Sequence, residues 1–394
     1  RHLFQLTVKD QSLIGQWRAS SSPRVQIRFE GTVREDAPAD HKIGNKWVLT
    51  LNNSLTPSNE VFNLPPVFNP SKKDTQSKEQ GDPTVSIDGK TMLLGDTGHY
   101  TIDLDATQKD QAYKVWRLGL TDDFDDEYVS IDPSRIEITG DDGKDYTNAF
   151  NIQVRDGVAY AYAKTVDTEI PATGETVKGD PQPTDLKAYA GKSDKDHDPL
   201  KDPAIDQSLL GQHYAVTLPY TVVKVTDGYV VKNTAVQIVN NVRKKTNTVS
   251  NPLKPINPKK DVTVKVGGHS VDGRSVYLDS TFLYQLDSSI LPADRAYQKV
   301  ANWGITDRLD PAYDKATGQW AVYAARDLYR GGEAIARKGE RIAGSGFDSS
   351  RLGGDMSTPP PASWTSRPPR RTWTSCPRTT RTSRAGAPTC RSRE

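Results

Sequence analysis

The stretch "NPSKKDTQ" begins at Asn69, and "NPKKDVTV" begins at Asn257. A chain that writes the same element twice at such a distance is built from units, and each unit has to bury a core of its own or share one with a neighbour. The repeat extends well beyond these eight residues. Asn45 to Asn63 reads "NKWVLTLNNSLTPSNEVFN", and Asn233 to Asn251 reads "NTAVQIVNNVRKKTNTVSN". The two windows agree at the first Asn, a Val, the Asn-Asn pair, a later Asn, a further Val and the last Asn. Each is followed by a Pro-containing link and the Lys-Lys-Asp element: Asn45 to Lys73 is 28 residues and Asn233 to Lys260 is 27. "SIDGK" and "SVDGR" come next, then "LGLTDDFD" and "WGITDRLD", with Asp122 lying 34 residues beyond Asp88 and Asp307 lying 35 beyond Asp272. The chain therefore divides into the end of a first unit (1–68), a complete unit (69–256), the start of a third (257–348) and a tail (349–394).

The units read as β-structure. "RVQIRF", "KWVLTL", "NAFNIQV", "VAYAYAK", "HYAVTLPYTVVKV" and "GYVVKNTAVQIV" are rich in β-branched and aromatic residues, often alternating with polar ones. Asp156-Gly157 and Asp227-Gly228 each separate two such runs and supply the positive-φ positions of a tight turn. Short strands at this spacing, without long helical periodicity, predict all-β sandwich domains rather than βαβ units. The stretch from Thr165 to Gln212, rich in Pro, Gly, Asp and Lys, is expected to be an extended insertion or loop near the surface.

Charge and cysteine content set the tail apart. Nine arginines and two acids after residue 350 give it a net +7, so a whole-chain charge of +2 leaves −5 for the rest. The basic pI is thus a property of the tail, and the body gives no support to nucleic-acid binding. Both cysteines, Cys376 and Cys390, also lie there, so no disulfide can staple the body. "STPPPASWTSRPPRRTWTSCPRTTRTSRAGAPTC" has almost no aliphatic residues with which to build a core. It begins where the third unit should continue, which leaves two readings: a disordered basic tail, or a frameshift. Codons for "TWTSCP" read two bases later give text suited to a strand. No apolar run is long enough to span a bilayer, and any export signal would lie outside this chain.

Each repeat sets a Lys at the start of its first strand, an Asp in "ITDxL"-like text and an Asn near its end. In the complete unit these are Lys73, Asp122 and Asn233. Such a trio can form an intramolecular isopeptide bond. A buried lysine loses its proton because an apolar site disfavours the ammonium, and the free amine attacks the Asn carboxamide carbon. A carboxyl kept protonated by the same burial polarises the amide and shuttles the proton, and ammonia leaves. The loop closed is about 160 residues long, and by analogy with a disulfide it contributes roughly 4–5 kcal/mol. The partial units hold incomplete sets: Asn45 in the first, Lys260 and Asp307 in the third.

"NPKKDVTVKVGGHSVDGRSVYLDSTFLYQLDSSILPADRAY", together with "DPAYDKATGQWAVYAARDLY", resembles the C-terminal region of the streptococcal antigen I/II adhesins. The resemblance covers roughly residues 40–348 and is strongest over 230–348. It implies successive variant immunoglobulin-like sandwiches, each with a Lys–Asn isopeptide bond assisted by Asp. On it, the family's Lys falls on Lys260 and, by the repeat, on Lys73. Its Asn falls on Asn233 and Asn45, and its Asp on Asp122 and Asp307, with Asp123 adjacent to the former. It also implies a secreted protein anchored to the cell wall and displayed at the cell surface. The expected partners are host salivary or mucosal glycoproteins and other bacteria; the fragment itself is expected to be monomeric, with no nucleic-acid ligand. The family's sorting signal is absent, and "IPATG" at Ile170–Gly174 lacks the apolar helix and basic end such a signal needs, so it reads as a loop. Thr176, Val177 and Lys178 resemble part of an adherence motif of the family.

Other chemistry is sparse. "SDKDHD" offers Asp194, Asp196 and Asp198 as alternate oxygen ligands for calcium, but no Gly-then-Glu continuation of an EF-hand loop follows, so a solvated loop is the preferred reading and no cofactor is required. "LGDTGHY" around His99 reads as a turn entering a strand. There is no HExxH, P-loop, GxSxG or paired-Cys spacing. Three classes compete: an adhesin fragment, a purely mechanical pilin-like spacer, and a carbohydrate-active enzyme with sandwich modules. The last requires paired carboxylates in a cleft and clustered aromatics, and the tryptophans of the body are scattered.

Overall fold

A computed structural model describes residues 4–345, apart from 11, 13–25, 35–36, 38–41, 110, 172, 181–184, 193–196, 199–200 and 301–302. The chain is all-β and forms two compact units, Arg1–Trp303 and Gly304–Glu394. The expectations for the tail lie outside the described residues.

The first unit opens with two antiparallel pairs. β1 (Ile43–Asn45) pairs with β4 (Val61–Asn63), and β2 (Val48–Leu51) with β3 (Ser54–Pro57). All four strands are exposed.

A complete sandwich follows. One sheet joins β5 (Ser71–Gln76), β6 (Thr97–Asp105), β16 (His213–Val222) and β8 (Val129–Ile131), with β9 (Glu137–Gly140) also paired to β16. The other runs β10 (Phe150–Arg155), β11 (Val158–Ala163), β7 (Leu118–Asp123), β18 (Ala235–Val239) and β19 (Val242–Lys245). Every pairing is antiparallel. Alternation makes this possible: in "HYAVTLPYTV", Tyr214, Val216, Leu218, Tyr220 and Val222 all turn inward. They meet Ile102, Leu104, Leu118 and Leu120 in one core, and each such side chain contributes about 1.5–3 kcal/mol by leaving water.

The two Asp-Gly turns differ. Asp156 (φ 52°) and Gly157 (φ 75°) both occupy the left-handed region and close the β10–β11 hairpin as predicted. Asp227-Gly228 instead leads into β17 (Val230–Asn233), which pairs with β20 (Val249–Pro252) rather than folding back on β16.

The stretch expected to be a loop is organised. β12 (Thr165–Val166) pairs with β15 (Ala204–Ile205), β13 (Thr168–Glu169) pairs with β14 (Thr176–Val177), and α1 (Leu186–Gly191) lies between them in sequence. Asp185 caps the helix by accepting from the Ala188 amide at 2.9 Å. Leu186 and Ala190 are buried against Tyr160, Tyr162 and Ile238 of the sheet. The buried Arg117 fastens this layer: Nη1 donates to the Tyr189, Ala190 and Lys192 carbonyls, while Nε and Nη2 donate to the Asn240 carbonyl. Arg117→Met would remove all five of these hydrogen bonds and leave the Ala190 carbonyl only its bond from Arg243, so urea denaturation should show a loss of about 3 kcal/mol; an unchanged midpoint would place the anchor elsewhere.

The first unit continues past residue 257 with β21 (Lys259–Thr263) paired to β22 (Leu283–Asp287). It reaches Trp303 because residues 294–298 dock on the sandwich. The Ala296 amide donates to the Thr91 carbonyl, the Tyr297 hydroxyl donates to the Thr97 carbonyl, and the Ser77 amide donates to that hydroxyl. In the second unit, β23 (Ala321–Tyr323) pairs with β26 (Arg341–Gly344), and β24 (Leu328–Arg330) with β25 (Glu333–Ala336), around Ala324, Ala336 and Ile342.

Candidate functional site

Strand β5 carries "SKKDTQ", and its alternation sends Lys72 and Asp74 inward and Lys73 to solvent. The lysine at the site is therefore Lys72. The expectation of Lys73 is corrected by one residue, which on a strand means the opposite face. Asp122 lies on the central strand β7, between Ala159 of β11 and Ala235 of β18. Asn233 ends β17, two residues before the start of β18.

The three side chains converge in the core. Lys72 Nζ donates to Asp122 Oδ2 at 2.6 Å, and Asn233 Nδ2 donates to the same oxygen at 3.3 Å. Lys72 is 3% exposed, Asp122 0% and Asn233 1%. The Tyr100 ring backs the amine, its centroid 4.6 Å from Nζ. Burial draws the Lys72 pKa down from its ordinary value, against the opposing pull of the Asp122 carboxylate and, more weakly, Asp74. A lysine easily deprotonated, a carboxamide and a carboxylate that touches both nitrogens have the composition needed for acyl transfer from Asn to Lys.

The surroundings explain the repeated asparagines. Asn247 accepts from the Lys72 amide and donates to the Lys72 carbonyl, both at 2.8 Å, so its side chain stands in for a neighbouring strand. Asn251 donates to the Ile87 carbonyl at 2.8 Å. Asn240 takes φ 48°, as does its counterpart Asn52 at 53°, and its side chain accepts from the Trp116 and Arg117 amides. These residues were visible as matches between the two windows, but a match alone assigns no contact.

The other candidates occupy other elements. Asn45 is exposed on β1, and Lys260 is exposed on β21 with Nζ 4.2 Å from the Tyr284 ring centroid. Asp307 is half-buried in the second unit. Thr176 and Val177 form β14, and Lys178 pairs with Asp167 at 2.5 Å on the surface. "IPATG" falls between β13 and β14 in sequence, where the Gly174 amide donates to the Ile170 carbonyl; Ala172 lies outside the described residues. Of the proposed calcium ligands, Asp194 and Asp196 lie outside the described residues; Asp198 pairs with Lys201 at 2.9 Å. "LGDTGHY" is a turn at Leu94-Gly95 entering β6 as expected; His99 is buried within that strand, and the burial lowers its pKa. Among the described residues, no helix is long and apolar enough to cross a membrane.

Comparison with known proteins gives a consistent picture. The family described as cell surface antigen I/II C2 terminal domain matches residues 70–253, and the family described as cell surface antigen C-terminus matches 257–358. Aggregation substance of Enterococcus faecalis is 31% identical over 310 residues, 76% of this chain; the chain spans 21% of that relative's length. The solved C-terminal domain of the Streptococcus pyogenes antigen I/II-family protein AspA is 20% identical, with a TM-score of 0.45, over 70% of this chain and 78% of that one. The Streptococcus agalactiae AgI/II polypeptide BspA C-terminal domain is 21% identical, with a TM-score of 0.37, over 58% and 63%. The two family matches follow one another along most of the sequence, and the chain belongs to the antigen I/II family of cell-surface proteins, from which it carries C-terminal domains.

Proposed function

We propose that the middle domain cross-links itself through an isopeptide bond from Lys72 Nζ to Asn233 Cγ, and that the chain is a stalk-proximal part of a cell-surface adhesin. The observation that carries the first half is the single oxygen, Asp122 Oδ2, within hydrogen-bonding distance of both nucleophile and leaving nitrogen in a buried site. That oxygen takes a proton from Lys72 as the amine attacks and returns it to the departing nitrogen of Asn233. The expectation began with a protonated carboxyl; this geometry suits a carboxylate that acts first as base and then as acid. No cofactor enters. The test is the intact mass of the chain beside that of Asp122→Ala.

Family membership supports the second half. Binding to host glycoproteins or to other bacteria distinguishes an adhesin from a purely mechanical spacer. The β13–β14 hairpin is the surface proposed for it, with Val177 half-buried and Lys178 exposed beside Asp167. Val177→Ala combined with Lys178→Ala should reduce adherence to partner cells about tenfold while leaving the melting temperature nearly unchanged, since neither side chain is part of the buried core. Undiminished adherence would remove this hairpin from the binding surface.

A further inference from the structure

The repeated element is Lys-Lys-Asp, and the trio uses only its lysine. The aspartate, Asp74, is 1% exposed and faces the same interior as Lys72, two residues along β5. Its Oδ1 accepts from the Tyr220 hydroxyl at 3.0 Å, and its Oδ2 accepts no hydrogen bond. Tyr220 stacks on Tyr100, ring centroids 4.2 Å apart, and Tyr100 is the ring that backs the Lys72 amine. A cleft of about 370 Å³ opens at this point, lined among others by Lys72, Asp74, Asp88 and Val249. An acid so deeply buried and only half satisfied is costly to keep unless it has a task.

Proton balance supplies the task. Joining a lysine ammonium to an asparagine amide converts N–H₃⁺ to N–H, so two protons must leave the lysine. One goes to the departing NH₂ of Asn233 and makes ammonia, which is the transfer assigned to Asp122. The other needs a second acceptor. We propose that Asp74 accepts this second proton, making Lys72 a nucleophile, and that the cleft lets the proton and the ammonia leave. This rests on the cross-link reading above. In full, Lys72–NH₃⁺ and Asp74–COO⁻ give Lys72–NH₂ and Asp74–COOH. The amine nitrogen bonds to Asn233 Cγ, the Cγ–Nδ2 bond breaks, ammonia departs, and Asp74 releases its proton to solvent.

The electrostatics fit that exchange. Burial pushes Asp74 up to about 7, against the pull of Asn251, Tyr220 and Lys72, with Asp88 adding to the rise. Burial draws Lys72 down, so the proton passes between groups moved toward one another. The titratable groups around Asp74 are Lys72 on its own strand, Tyr100 on β6, Asp122 on β7, Tyr220 on β16 and Asp88 in the loop after β5.

The test uses the full chain recovered unfolded from inclusion bodies, refolded from about pH 5.5 to about pH 8.5, with mass followed over time. The wild-type rate of ammonia loss should rise through about pH 7 and then level, as Asp74 ionises. Asp74→Asn should react about tenfold slower or worse, without that step. Tyr220→Phe keeps the carboxyl but removes a donor to its anion, so its step should move to higher pH. A wild-type rate in Asp74→Asn overturns the proposal while the trio stands. So does a slower reaction that keeps the wild-type step, or an unmoved step in Tyr220→Phe. Full mass in the wild type at every pH overturns the trio and Asp74 together.

Discussion

The wild-type chain should weigh less than its sequence by one ammonia, and Asp122→Ala and Lys72→Ala should not, while Lys73→Ala should match the wild type. The adjacent lysines make this a stringent comparison. They have the same chemistry, the same place in the repeat and nearly the same position along the chain. They differ in which face of β5 they occupy: Lys72 is buried with its amine 2.6 Å from the Asp122 carboxylate, and Lys73 points to solvent. A cross-link through Lys73 would require the strand to turn over, moving every inward side chain of β5 outward. Loss of ammonia in Lys72→Ala together with its retention in Lys73→Ala would refute the assignment. Unchanged mass in all four chains would leave the ion pair as a purely structural element.

Asn233→Ala should lower the melting temperature of the middle domain by roughly 10–20 °C. It removes the carbon under attack and leaves the Lys72–Asp122 pair in place, so the loss reports the bond rather than an orphaned charge. Residues 72 and 233 enclose about 160 residues, and closing a loop of that length restricts the unfolded chain by about 5 kcal/mol. For a domain of this size each kcal/mol corresponds to about 2–4 °C. Calorimetry on Asn233→Ala and Asp122→Ala would check it. A shift of only a degree or two in Asn233→Ala would mean that no covalent tie had been lost.

Much of this was legible in the sequence. The tandem organisation came from ordered matches between distant windows, and the all-β class from alternation of the kind seen in β16. Asp122 and Asn233 were identified because each repeat fixes them at similar spacing. Lys72 was not, because two identical neighbours carry no mark of which one faces the core; that depends on the register of β5 against β6, which is set by contacts far away in sequence. Asp74 was hidden for a related reason: an aspartate after two lysines reads as surface until the strand's inward face is known. α1 was missed because six residues in a Pro- and Gly-rich stretch give no periodicity, although the Asp185 cap was there to be read. The segment around Tyr297 docks through backbone carbonyls, which leave no trace in side-chain pattern.

The two ends of the proposed bond lie close to the two ends of the domain: Lys72 is on its first strand, and Asn233 is on β17, with only β18, β19 and β20 of the sandwich still to come. Under tension, an uncrosslinked sandwich can be drawn out to its full contour, and the stretch between these residues alone would lengthen by about 500 Å at about 3.3 Å per residue. With the bond in place that stretch bears no load, and the line of force crosses from β5 directly to β17. A chain built this way keeps a fixed reach under shear, so whatever it carries stays at the same distance from the surface beneath.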